Sequence, residues 1–77
     1  MIRYYCIKRP PMVGQLPLGK HEDGKWLRLL TAMDAFDKRR YIPAIGRMAW
    51  GWVEYSAELT PHEIAEYGLI REPREVE

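Results

Sequence analysis

A chain of 77 residues, 47% hydrophobic, 30% charged and 12% aromatic, has room for one small core. A chain of that size buries about 60–65% of its unfolded surface, which excludes a large enclosed active site. The formal net charge of +1 conceals a polarity, since residues 1–47 carry ten Lys/Arg and four Asp/Glu, and residues 48–77 carry two and seven.

Residues 2–8 are rich in β-branched and aromatic side chains and stop at Arg9-Pro10-Pro11, which predicts a strand. Its two faces, Ile2/Tyr4/Cys6 and Arg3/Tyr5/Ile7, are both partly apolar, as in a central strand or one covered by a helix and a loop. Residues 9–24 read as a loop stiffened by Pro10, Pro11 and Pro17 and turned at Gly14, Gly19 and Gly24. A loop of that length in so small a domain is usually functional or partly disordered. Over residues 25–38 two readings compete. Trp26, Leu29, Leu30, Met33 and Phe36 recur at helical spacing among good helix formers. A strand over 26–30 followed by a short helix over 32–38, with Thr31 as its cap, instead supplies the sheet with a partner. The second reading is preferred, because a two-stranded sheet is marginal alone.

Residues 40–47 read as irregular, with Ile42 held extended by Pro43 and a turn at Gly46. Residues 48–55 predict a second strand, with Trp50, Trp52 and Glu54 on one face and Ala49, Gly51, Val53 and Tyr55 on the other. Gly51 between two tryptophans marks a bulge or a ring lying over the backbone. Thr60-Pro61-His62-Glu63 is a capping box with proline at the first helical position. It predicts a helix over 61–67 with Ile64 and Tyr67 inward, Leu59 as a staple and Gly68 as the stop. Leu69 and Ile70 follow as a short extended segment, and 71–77 as a charged, frayed tail.

The expected fold is α+β, a small antiparallel sheet of about three strands against a C-terminal helix, with residues 1–70 as one domain. A single cysteine, Cys6, forms no internal disulfide, and no early apolar run suits a signal peptide or a membrane span. A cytoplasmic protein without a membrane partner is expected. Cys6, His21 and His62 share no metal-ligand spacing, so no metal or other cofactor is expected. Cys6 reads as an inert small hydrophobe, and Ser56, the only serine, as a turn residue. No nucleophile–base spacing stands out, and no enzyme is expected.

Two surfaces remain as candidates. Trp50 and Trp52 exceed what so small a core holds. One should fill it against the helix, and an exposed Trp is a common interface anchor. Trp26, Trp50 and Trp52 are therefore the candidate interface for an unknown protein partner or a homodimer. Lys8, Arg9, Lys38, Arg39, Arg40 and Arg47 flank strand ends, and if those ends meet they form a positive patch for nucleic acid, with Tyr41 and Trp50 for stacking. The pI of about 7.9 lies below the usual range of nucleic-acid modules and favours a solvated rim. A non-enzymatic interaction module is thus the preferred reading, with a nucleic-acid-associated protein as the alternative.

Arg9-Pro10-Pro11-Met12, Phe36-Asp37-Lys38-Arg39-Arg40-Tyr41-Ile42-Pro43, Ile45-Gly46-Arg47 and Ala49-Trp50-Gly51-Trp52-Val53-Glu54-Tyr55 running into Glu58-Leu59-Thr60 together carry a resemblance. The chain resembles small bacterial proteins related to the defence-against-restriction A protein of phages, over most of residues 3–70 and most specifically over 41–60. It departs from them at Ala44, where short members carry an acidic residue, and in the length or composition of residues 20–33. The phage namesake is a much larger virion protein associated with protecting injected DNA. The resemblance implies a domain type and a restriction-defence setting, and it brings no catalytic residue.

Overall fold

The computed structural model describes residues 1–17 and 19–73, without the side chains of Lys20, His21 and Trp26. Strands β1 (Ile2–Cys6), β2 (Lys20–Glu22), β3 (Lys25–Arg28), β4 (Leu30–Ile42) and β5 (Arg47–Tyr55) precede helix α1 (Pro61–Tyr67) and strand β6 (Leu69–Arg71). One antiparallel sheet has the order β4-β5-β1-β6, and β2 and β3 pair as a separate hairpin. The architecture is α+β in outline, with more strand than the sequence suggested.

Two segments differ from expectation. Residues 20–24 are not loop. Asp23 and Gly24 both take positive φ, at 52° and 75°, which closes the β2–β3 hairpin. Both central residues of a type I′ turn require that geometry, and Asp-Gly is among its preferred pairs. No helix forms over 32–38, and residues 40–42 are strand rather than irregular, because β4 runs through both and pairs along β5 from Leu30↔Tyr55 to Ile42↔Arg47. Neither the short helix nor the single long one therefore exists. Thr31 caps nothing, and its hydroxyl donates to the Glu54 carbonyl at 3.1 Å. Strand pairing satisfies every second backbone group of this segment at once, and that outweighs a helix preference of a few tenths of a kcal/mol per residue. The β4–β5 connection is tight, with the N–H of Gly46 donating to the Ile42 carbonyl at 2.9 Å.

β5 carries the alternation read from the sequence. Ala49, Gly51, Val53 and Tyr55 are buried, and Trp50, Trp52 and Glu54 are half-buried on the other face. At Gly51 a ring does lie over the backbone. An added Cβ would sit 2.7 Å from the Pro11 ring and closer still to the Asp34 carbonyl oxygen. Glycine here lets the proline-rich loop and β4 both close onto β5.

The core forms where β1, β5 and β6 meet the loop and α1. Tyr4, Cys6, Val53, Tyr55, Leu69, Leu16 and Leu59 are its buried members, with Ile2, Leu30, Ile64 and Tyr67 packed around them. Tyr4 and Tyr55 meet edge to face at 6.2 Å. Their hydroxyls do not go unpaired. Tyr55 donates to the Pro17 carbonyl at 2.6 Å, and Tyr4 accepts the Leu59 N–H at 2.9 Å. The loop is thus partly core cover, with Pro11, Leu16 and Pro17 buried and Met12 and Val13 exposed.

α1 has the expected bounds and capping box. The Glu63 N–H donates to the Thr60 hydroxyl at 3.2 Å, and the Thr60 N–H donates to Glu63 Oε1 at 3.0 Å. Gly68 ends the helix in the left-handed conformation, with the Lys8 side chain packed against it. β6 then follows directly. Arg71 pairs with Tyr4, and the Glu72 N–H donates to the Arg3 carbonyl at 2.8 Å, so the sheet reaches into the segment expected as a tail. Residues 74–77 of that expected tail lie outside the described residues.

The hairpin is tied to the helix by Arg28, which is only 4% exposed. Its guanidinium donates to both Glu63 oxygens, at 2.6 and 2.8 Å. It also lies over the Tyr55 ring at 5.7 Å. The hydrogen bonds from Arg28 hold the Glu63 carboxyl down at about 2, against an ordinary 4.5, with the Thr60 N–H assisting.

Two outcomes follow from this packing. Gly51→Ala should lower stability by about 1–3 kcal/mol in urea unfolding, because its Cβ meets backbone on one side and a fixed ring on the other. Glu63→Gln should cost about 3 kcal/mol at neutral pH, since it takes the carboxylate charge from a buried arginine. In the unaltered protein the folded value of Glu63 lies below the unfolded one, so the unfolded chain binds more protons between them. The contribution of Glu63 is therefore complete above 4.5 and lost as pH falls through about 2. Denaturation measured across that acid range should show a shallower loss in Glu63→Gln.

Candidate functional site

The helix, the loop and Leu59 cover one face of the sheet. The opposite face carries a row of large side chains. Cross-strand register sets Arg3 opposite Glu54, and Tyr5 between Trp52 and Ile70. Arg3 donates to Glu54 Oε2 through Nη2 at 2.7 Å and Nε at 2.9 Å. Its guanidinium also lies 4.1 Å from the centre of the Trp52 ring. The hydrogen bond to Glu54 raises the Arg3 pKa further. Tyr5 is buried between its neighbours and donates to Glu72 at 2.6 Å. Burial, then that hydrogen bond, raises its pKa.

The tryptophans therefore sit differently from expectation. Neither Trp50 nor Trp52 fills the core against the helix, because the inner face of β5 belongs to Ala49, Gly51, Val53 and Tyr55. Both are half-buried on the open face. Trp26 lies on β3, in the separate hairpin, and its side chain is outside the described residues. It is not brought into register with the other two.

The six basic candidates are placed at one end of the sheet. Lys8 and Arg9 follow the end of β1 at which Cys6 meets Gly51, and Arg47 opens β5. Lys38, Arg39 and Arg40 lie in the half of β4 that pairs near Ala49. All six are exposed. Arg39 approaches the Trp50 ring at 5.6 Å and Arg40 the Phe36 ring at 4.5 Å.

Sequence reading placed Glu54 beside Trp50 and Trp52 but missed Arg3 and Tyr5 as members of the tryptophan face. Period-2 alternation in residues 2–8 set antiparallel to 48–55 was the available signal. No sequence signal pointed to Arg28 with Glu63, which lie 35 positions apart.

Other reactive side chains are occupied. The Ser56 hydroxyl accepts the Leu29 N–H at 2.8 Å, in keeping with a turn role. His62 lies 3.4 Å from Glu66 on the exposed side of α1. Among the described residues, no three His, Cys, Asp or Glu side chains are grouped to hold a metal ion. Among them, too, no helix is long and apolar enough to cross a membrane.

The protein family described as Defence against restriction A C-terminal matches residues 1–74. No curated protein and no solved structure matches the chain.

Cys6 is a buried free thiol. It is 2% exposed on the core side of β1, and burial pushes its thiol up to about 12. A neutral thiol reagent at mildly alkaline pH should leave the folded protein unlabelled and modify one site in denaturant. Labelling at the rate of a free thiol without denaturant would contradict the packing of β1 against β6.

Proposed function

The chain belongs to the family described as Defence against restriction A C-terminal, and from that premise we propose that it is a non-enzymatic interaction module acting in a restriction-defence-related setting. It contacts a protein partner, or a second copy of itself, through the open face of the sheet centred on Trp52. The observation that carries this reading is the placement of both Trp50 and Trp52 outside the core, on the face that neither helix nor loop covers. Trp and Arg are the side chains that most often dominate interface energetics, and here Arg3 is already stacked on Trp52 and fixed by Glu54. A ring and a guanidinium held in place in advance lose little side-chain freedom when a partner arrives. The absence of enzymatic work is supported by the chemistry of the reactive groups. The Cys6 thiol is buried and kept protonated, and the Ser56 oxygen is engaged by a backbone N–H.

The test compares the intact protein with Trp52→Ala in two assays, solution mass over a dilution series and quantitative capture from native cell extract. Far-UV circular dichroism confirms that the variant folds. The expected result is a concentration-dependent dimer, or a defined set of captured proteins, weakened about tenfold or more by the substitution. A strict monomer that captures the same proteins with and without Trp52 would overturn the reading.

A further inference from the structure

The β4–β5 hairpin continues past the rest of the sheet. β1 pairs with β5 over residues 51–55, so residues 47–49 are paired with β4 alone among the described strands. Within this arm the ladder is irregular. Five steps along β4, from Ala35 to Arg40, face two along β5, from Gly51 to Ala49. Residues 36–39 therefore swell out of the regular register, and Lys38 and Arg39 lie on the swelling.

The described arginines elsewhere differ from those at this end. Arg3, Arg28 and Arg71 each meet a carboxylate, on Glu54, Glu63 and Glu58. None of Lys8, Arg9, Lys38, Arg39, Arg40 and Arg47 is ion-paired with a described carboxylate. The acidic group interspersed with them is Asp37. Lysines and a bulge on an edge strand also discourage edge-to-edge pairing. That accounts for part of β4, but it does not account for Lys8, Arg9 and Arg47, which are not on the edge strand.

Aromatic surface is interleaved with these cations. Trp50 lies beside Arg39. Tyr41 is opposite Met48, hence on the Trp50 face, and is 56% exposed. An acidic protein segment would use the cations but has no need of open ring faces. A duplex keeps its bases stacked inside and offers few to a ring on a strand. Single strands use both, with phosphates on Lys/Arg and bases stacked on aromatic rings.

We propose that the basic end of the β4–β5 hairpin binds single-stranded nucleic acid. Bases stack on Tyr41 and Trp50 beside Arg39, and phosphates contact Lys38 and Arg39 on the swelling and, around the edge of this two-stranded arm, Arg40 and Arg47, which the register places on the Ala49 face. Lys8 and Arg9 extend the positive field. This site lies on the same sheet face as Trp52 and Arg3 but further along β5, at the hairpin end; beside Trp52, Glu54 already neutralises the arginine. The two surfaces are tested by different substitutions, so one survives the failure of the other.

The experiment is fluorescence anisotropy on the full chain with labelled oligothymidine, a matched DNA duplex and labelled polyglutamate, over a range of salt. Oligothymidine should bind at low salt, with log K falling linearly against log salt concentration. The exposed double substitution Lys38→Glu/Arg40→Glu should weaken it by about tenfold or more, since it replaces two attractions by repulsions. Tyr41→Ala should weaken it by about fivefold or more through lost stacking. Trp52→Ala should leave it within about twofold, because that ring lies outside the proposed stacking platform. No oligothymidine binding at low salt would overturn the proposal. So would duplex binding of equal strength, or polyglutamate binding of equal strength that ignores Tyr41. Loss in Trp52→Ala matching that in Tyr41→Ala would move the site from the hairpin end to the middle of the sheet face and overturn it equally.

Discussion

The bidentate pair between Arg28 and Glu63 holds together two elements that would not persist apart. α1 has only seven residues, well short of the length at which an isolated helix is stable. The β2–β3 hairpin has two short strands, an arrangement marginal in water without further packing. Glu63 serves both. Its Oε1 accepts the Thr60 N–H that completes the capping box and also accepts Arg28 Nη1. The helix start and the hairpin end are therefore satisfied by one carboxylate. Such a pair earns its stability only when its geometry is good and its partners are complete. The fork-to-fork contact meets the first condition, and the Thr60 N–H adds a third bond to the carboxylate.

What was legible in the sequence was what short-range chemistry determines. Thr60-Pro61-His62-Glu63 and Gly68 mark both ends of α1, because capping depends on residues within one turn of each other. The alternation in β5 was equally readable, since its inner face demands small or apolar residues and its outer face does not. Gly51 announced a close approach without naming Pro11 as the ring that makes it. β4 was misread because Leu29, Leu30, Met33 and Phe36 satisfy a helical period by coincidence. As an edge strand with a swelling, β4 need not alternate cleanly, and so the strand signal was absent where the strand is longest. Asp23-Gly24 was a readable turn lost inside a stretch taken for loop. The candidate site divided along the same line. Trp50 and Trp52 were placed on a shared face, but which face the core would claim depended on α1 and the loop packing on the same side of the sheet.

That choice of side has consequences for function. A four-stranded sheet in a chain this small has one helix, one loop and the β2–β3 hairpin with which to cover two faces. The helix and the loop go to the side bearing Tyr4, Val53 and Tyr55, and the hairpin joins them there through Arg28 over Tyr55. The remaining side protects itself with cross-strand contacts. Arg3 covers Trp52, Tyr5 lies between Trp52 and Ile70, and Glu72 closes over the Tyr5 hydroxyl. These contacts keep the rings half-buried without a second layer. A surface built in this way stays soluble while offering aromatic area, because a guanidinium over a ring is easily rehydrated or displaced by a better partner.

The charge polarity along the chain becomes spatial through strand order alone. β5 begins at Arg47 and ends beside Glu54, and antiparallel pairing carries β1 the opposite way, so its end leads into Lys8 and Arg9 beside the start of β5. The acidic second half then returns through α1 and β6 to the other end, where Glu54, Glu58 and Glu72 meet Arg3, Arg71 and Tyr5. Both described arginines drawn into that acidic end, Arg3 and Arg71, are matched there. The cations left at the hairpin end have no such counterpart among the described carboxylates, although the chain carries nearly as many acids as bases. Near-neutral overall charge thus coexists with one locally basic end. A uniform mixing of the two signs would have cancelled the field that an incoming anion senses within a Debye length of the surface.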